Sequence, residues 1–290
     1  MSQRTKGICF MLCSALCFSI MNAFVRLSGD IPSMQKMFFR NLISLMAALF
    51  LIQREKIPIR VPRSQWKHLF SRSFFGTVGV FCNFYAVDHM LLSDATMLNK
   101  MSPFFAMLFS AWLLREGATA VQVLLSCAAL GGCVFILKPT VSGMISPSAL
   151  VALLGGLTAG LAYTEVRILG VSKVNKDLII LFFSLFSCLA ALPFLVFGYT
   201  PMTPGQLVFL LLAGTAATGG QFCITSAYCC APAPEVAVYD YSQILFAAVL
   251  GYVIFHQIPD MLSVTGYVII CAAAAAMTLY NNRLCGTRSA

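Results

Sequence analysis

Apolar residues along this chain gather into ten long, uninterrupted stretches separated by short polar connections. They run near 7–27, 33–52, 70–90, 93–114 and 119–138, and then near 148–168, 177–197, 206–228, 235–255 and 261–280. Each approaches the ~20 residues that carry a helix across ~30 Å of hydrocarbon. The stretches are too long and too uniformly apolar for the alternating ~10-residue strands of a membrane barrel. Helices are the other way to satisfy a backbone within lipid. The pattern therefore predicts an all-α integral membrane protein with ten transmembrane helices. The longest connection, about residues 53–69, carries Arg54, Glu55, Lys56, Arg60, Arg63 and Lys67, and no connection has room for a soluble domain. The first stretch follows Arg4 and Lys6 as the apolar core of a signal peptide would. It is longer than such a core and lacks an A-x-A cleavage site, so it reads as a retained first span.

The chain also repeats itself at an offset of 141 residues. Val25-Arg26-x-x-Gly29 recurs as Val166-Arg167-x-x-Gly170, and Phe105-Ala106 as Phe246-Ala247. Thr77-x-Gly79-x-Phe81-Cys82-x-x-x-Ala86 recurs as Thr218-x-Gly220-x-Phe222-Cys223-x-x-x-Ala227. The repeats are read as 1–141 and 142–290, each holding five stretches. An odd number of spans per copy predicts that the second copy sits inverted relative to the first. Inverted repeats of this kind mark transporters that open alternately to the two sides of a membrane.

Composition and charge fit that reading. Hydrophobic residues make up 59% of the chain, charged residues only 10%, and the net charge is +9. So little charge excludes an ordinary soluble domain. With the N-terminus inside, fourteen Lys and Arg fall on the inner side, Arg72 counted among them, against Arg26, Lys36 and Lys138 outside. The bias places both termini in the cytoplasm. The basic surface suits anionic lipid and calls for no nucleic acid. Nearly all twelve cysteines fall inside apolar stretches, which argues against a disulfide framework. Cys9, Cys13 and Cys17 share one helix face, where small residues at a helix contact are favoured over a soft-metal site. Gly156-x-x-x-Gly160 and Ala128-x-x-x-Gly132 offer similar close-packing faces. His68, His89 and His256 are scattered, and no metal or cofactor is expected.

Ionisable groups at membrane depth cost free energy and point to function by default. The first half offers Arg40 and Asn99-Lys100, with Asn22, Asn41 and Asn83 nearby; the second offers Glu165 and Asp240, accompanied by Tyr163, Gln221, Tyr228, Tyr239, Tyr241 and Gln243. The offset sets Asn99-Lys100 against Asp240-Tyr241 and Asn22 against Tyr163. Counting helical rise from the span ends leaves about 12 Å along the membrane normal between Lys100 and Asp240, so a direct ion pair is not expected. The expectation is a cationic half-site in the outer half, from Arg40 and Lys100, and an anionic one in the inner half, from Asp240 and Glu165. Glu165 could instead pair with Arg167 at the end of its span. Pro103 is expected to kink the fourth span. Gly76, Gly79, Gly214, Gly219 and Gly220 concentrate in the third and eighth spans and permit close helix approach or backbone contact with a ligand. Asp88, His89 and Asp94 read as caps of the turn between the third and fourth spans.

Phe84-Tyr85-Ala86, then Leu92-Ser93-Asp94-Ala95-Thr96, Pro103 and Arg115-Glu116 resemble the third-to-fourth-span signature of the EamA family, part of the drug/metabolite transporter superfamily. Ala227, Glu235 and His256-Gln257-Ile258-Pro259 form a looser second copy, with Gln257 where an acid is usual. The resemblance covers essentially the whole chain. It implies two five-helix repeats around a central cavity lined by spans 3, 4, 8 and 9, with spans 5 and 10 at the periphery. Members of the family carry amino acids, sugars, nucleotide-linked metabolites, S-adenosylmethionine or toxic organic compounds, often outward, and proton coupling is common in the superfamily. The expected function is a secondary active transporter, acting as an exporter of small polar or zwitterionic metabolites such as amino acids. It would work by alternating access across the cytoplasmic membrane as a single-chain unit, coupled to protons or to substrate counter-flow. The candidate substrate-binding residues are Asp240, Tyr239, Tyr241, Gln243, Lys100, Asn99, Arg40, Tyr163, Glu165, Asn22, Tyr85 and Gln221. No GxxxxGK[ST] loop is present, so this chain does not burn ATP. A channel or lipid scramblase fits the duplicated halves less well. A membrane-embedded enzyme would need a catalytic constellation such as H-E-x-x-H, which is missing.

Overall fold

The computed structural model describes residues 2–89, 92–141, 146–256 and 258–288. Residues 90–91, Gln257, and the side chains of Phe84, Asp88, Leu92, Ser93 and Asp94 lie outside that description. Among the described residues the ten apolar stretches are mostly helical, and no strand occurs. The helices are α1 (Gln3–Leu27), α2 (Ser33–Arg54), α3 (Trp66–His89), α4 (Leu92–Asn99), α5 (Ser102–Leu113), α6 (Ala120–Leu137), α7 (Pro147–Val171), α8 (Lys176–Gly198), α9 (Pro204–Cys230), α10 (Ala233–Val236), α11 (Ser242–Phe255) and α12 (Met261–Arg288). Their starts follow capping chemistry. Thr119 and Gln122 bond each other's backbones at the head of α6, and Thr203 and Gln206 do the same for α9.

Eight segments among the described residues are long and apolar enough to cross a membrane: α1, α2, α6, α7, α8, α9, the composite 233–255, and α12 up to Asn282. Helix α3, which carries Lys67, His68 and Arg72, is not among them. The α4–α5 stretch is not among them because it is broken.

That break has a counterpart. In the first half, α4 ends at Asn99 and α5 begins at Ser102, with Lys100 and Met101 between. Pro103 sits in the first turn of α5, not mid-helix as the sequence led one to expect. Lacking an N–H, it cannot bond the Asn99 carbonyl four residues back, and the helix restarts there. In the second half Ala237–Tyr241, which the offset sets against Thr96–Lys100, form a 3-10 turn between α10 and α11. Arg115 and His256, also equivalent, end these two segments in the left-handed region, at φ 56° and 53°.

The packing follows the same offset. Helix α1 lies along α9, as α7 lies along α3; α2 meets α8, α6 meets α12, and α5 lies on α7 as α11 lies on α1. Small residues set these contacts. A Cβ on Gly79 would come within 3.2 Å of the α7 backbone, and one on the equivalent Gly220 within 2.8 Å of the Phe18 ring on α1. A side chain on Gly160 would strike Phe105 and the Ala106 nitrogen on α5 at 2.6 and 2.8 Å. Cys17 also packs on α9, 3.3 Å from where a Gly219 Cβ would stand. Buried hydroxyl pairs staple the halves in mirrored fashion: Thr77 to Ser187 at 2.7 Å, and Ser44 to Thr218 at 2.9 Å.

Candidate functional site

The two helix breaks face each other, and their charged residues meet. Lys100 Nζ donates to Asp240 Oδ2 at 2.9 Å, to Gln243 Oε1 at 2.7 Å and to the Asp240 carbonyl at 3.3 Å. All three ammonium protons are thereby used. The pair is buried, with Lys100 5% and Asp240 7% exposed. The 3-10 turn makes the carbonyl available, and Ser242 Oγ fixes the turn by donating to the Tyr239 carbonyl at 2.6 Å. Ser19 on α1 donates to the Gln243 carbonyl at 2.8 Å and ties the site to a third helix.

The expectation of separate cationic and anionic half-sites for Lys100 and Asp240 is thus corrected. It treated both spans as continuous helices standing along the membrane normal. Both spans break at these residues, and the lysine's four-carbon stem carries its charge away from its own backbone, across the gap. Asn99 stays half-buried at the break, with its carbonyl turned toward Gly156 of α7.

Arg40 keeps different company. Its guanidinium lies over the Phe18 ring, 5.7 Å from the centroid. Tyr163 stacks on Tyr228 with centroids 5.0 Å apart. Arg72 is not a loop residue of the inner surface, where the charge count placed it. It lies within α3 and is 2% exposed. The sequence held the signal, since position 72 falls inside the stretch 70–90.

Glu165 does not join Asp240. His68 Nδ1 bonds Glu165 Oε2 at 2.7 Å, and Ser71 Oγ donates to Glu165 Oε1 at 2.7 Å, so this acid binds α7 to α3. Nor does it pair with Arg167, which reaches Glu116 at 2.7 Å and the Cys229 carbonyl at 3.2 Å. The remaining candidates disperse. Tyr239 OH bonds Thr278 at 2.6 Å on α12. Gln221 donates to Thr225 on its own helix at 3.3 Å. Tyr85 stacks on His89 at 4.0 Å, and Asn22 is exposed. Tyr241 is fully buried, with a hydroxyl that has no partner among the described residues.

Sequence reasoning missed His68 as well as Arg72, and also the buried amide pair of Gln122 and Asn281, which links α6 to α12 at 2.9 Å. A cleft of about 320 Å³ opens between Pro58–Pro62 and Ser172–Asn175, and it touches neither Lys100 nor Asp240.

Comparison with known proteins gives this geometry its context. The chain belongs to the EamA-like transporter family, within the drug/metabolite transporter superfamily: the family's profile matches residues 5–138 and again 146–279. A pseudopaline exporter of Pseudomonas aeruginosa is 30% identical over 275 residues, covering 94% of this chain and 96% of that protein. The S-adenosylmethionine uptake transporter of Rickettsia prowazekii is 24% identical, covering 92% and 90%. Solute carrier family 35 member G1 of Homo sapiens is 24% identical, covering 92% and 77%. A solved crystal structure superimposes with a TM-score of 0.82 at 18% identity, over 94% of this chain and 98% of that one, and shares the fold. The chain is accordingly a multi-pass membrane protein of a transporter family, and its relatives are transporters, not enzymes.

Proposed function

We propose that this EamA-family chain is a secondary active transporter that exports a small polar metabolite across the cytoplasmic membrane by alternating access. In this reading ten spans form two inverted repeats, 1–141 and 142–290, with both termini cytoplasmic and a central cavity between the repeats. A single chain is the working unit, driven by protons or by substrate counter-flow. The observation that carries the reading is the Lys100–Asp240 pair. It joins equivalent helix breaks of the two repeats, where rocking of one repeat against the other must pull the groups apart. A substrate with its own carboxylate and amine can replace each partner of the pair, so ligand and ion pair compete for the same charges. Gln243, which accepts from Lys100, stands beside it as a further contact. The 30% identical exporter supports the outward direction. The 24% identical uptake protein shows that relatives of this chain differ in direction.

The test is exchange in liposomes preloaded with an amino-acid mixture. Saturable exchange that falls at least about tenfold with Asp240→Asn, in a variant that stays folded, is the expected result. A tenfold change corresponds to about 1.4 kcal/mol. Unsaturable, conductive flux would instead indicate a channel or scramblase.

A further inference from the structure

Arg72 is a buried cation with an unsatisfied donor among the described residues. It is 2% exposed, and its Nε has no hydrogen-bond partner among the described residues. Its guanidinium sits over the Phe183 ring of α8, 4.3 Å from the centroid. On the other side it lies against α3 itself, where a Cβ on Gly76 would stand 2.1 Å from Nη1 and 2.9 Å from the Phe183 ring. Gly76 and Phe183 thus leave the slot in which the guanidinium sits.

The repeat supplies an internal control. The positions equivalent to Arg72, Gly76 and Arg40 in the second half are Ala213, Ala217 and Leu181. A Cβ is present at 217, where no arginine needs a seat, and is missing at 76, where one does. The slot is a feature of the first half alone.

Counter-charge is also missing. The two acids at depth are engaged, Asp240 by Lys100 and Glu165 by His68 and Ser71. Neither Arg40 nor Arg72 has a carboxylate within ion-pair distance among the described residues. Arg40, Arg72 and Lys100 against Asp240 and Glu165 leave one excess positive charge among these groups within the spans, with His68 neutral. A buried cation with an unsatisfied donor is costly, and a guanidinium that keeps a free N–H matches a carboxylate or phosphate.

We propose that Arg72, seated by Gly76 and Phe183, is an anion subsite that takes a carboxylate or phosphate group of the transported molecule. The substrate is then a net-anionic acid and not a balanced zwitterion. This rests on the transporter reading and narrows it.

The test is thermal stabilisation of the purified full chain in nanodiscs by four probes: citrate and glutamate for carboxylates, pyrophosphate for phosphates, and lysine as a cationic control. In the wild type, citrate or pyrophosphate should stabilise at concentrations at least about tenfold below those that lysine needs, as charge-assisted bonding predicts. Which of the two prevails tells carboxylate from phosphate. Arg72→Gln should weaken the favoured anion at least about tenfold and leave the lysine response within twofold. Gly76→Ala retains every charge yet displaces the guanidinium, and should weaken the same anion; it decides the matter should Arg72→Gln fail to fold. Stabilisation by lysine alone, no anion response in the wild type, or anion affinity within twofold of wild type in both variants would each overturn the subsite. Anions that bind through Arg72 but do not exchange across liposomes would uphold the subsite and sink the transporter reading.

Discussion

Two lysine–aspartate pairs join the first half of this molecule to the second, and they differ in almost everything but chemistry. Lys100–Asp240 has side chains 7% and 11% exposed and sits where two helices are broken. Lys138–Asp260 has side chains 44% and 51% exposed and links the end of α6 to the start of α12. At the exposed pair, the hydrogen bond from Lys138, aided by Ser263, holds the Asp260 carboxyl well below the usual carboxylate range, at about 2. Water and salt screen it, so the bond orders a loop and contributes little else. At the buried pair, neither charge can be lost without stranding the other in a low dielectric. The same two side chains make a surface clasp in one place and a buried, closed pair in the other, and depth is what separates them.

Removing one buried charge should break that contrast most visibly. Lys100→Met leaves Asp240 buried without its counter-ion and should destabilise the protein by about 3–5 kcal/mol. Lys100→Met combined with Asp240→Leu should recover most of that loss, as read from unfolding midpoints in detergent. A double variant no more stable than the single would mean that the pair is not a closed unit.

A smaller effect is expected from the frame that holds the break. Gly160→Ala puts a methyl group against the Phe105 side chain and the Ala106 backbone of α5. It should cost about 1–3 kcal/mol as overpacking. It should also reduce the coupling between Lys100 and Asp240 in a double-mutant cycle, because α5 carries the position of the break. Unchanged coupling would show that the pair finds itself without help from α7.

The smallest effect belongs to the clasp. A depressed carboxyl stabilises the fold above the ordinary carboxylate range, and that contribution is lost as pH falls through about 2. Asp260→Asn should therefore lower the melting midpoint slightly at neutral pH. The difference from wild type should shrink toward zero near pH 2, and 1 M salt should erase most of it at any pH. A deficit as large as that of Lys100→Met would dissolve the distinction between the two pairs.

Much of the frame was legible because lipid makes strong demands on sequence. Long apolar runs located the helical stretches, and the 141-residue offset found in Gly79 and Gly220 reappeared as matching close contacts on α7 and α1. Lys100 and Asp240 stood out as charges at depth. Their meeting did not, because depth along a helix says nothing of a break, and Pro103 was read as a mid-helix kink when it restarts the helix. Arg72 was hidden by its nearness to a basic loop, and Glu165 by the assumption that a charge pairs with its neighbour in sequence. A partner on another helix, such as His68, leaves no local trace.

The central claim is that the Lys100–Asp240 pair is the point where substrate and the two halves of the protein are coupled. The most direct measurement is saturable exchange of labelled glutamate and citrate across liposomes for wild type, Lys100→Ala, Asp240→Asn and the double variant. The account predicts saturable exchange in the wild type, loss of at least about tenfold in each single variant, and a double variant no worse than the weaker single, as expected for groups that act as a unit. Normal exchange kinetics in Asp240→Asn, or losses that simply multiply in the double variant, would contradict it.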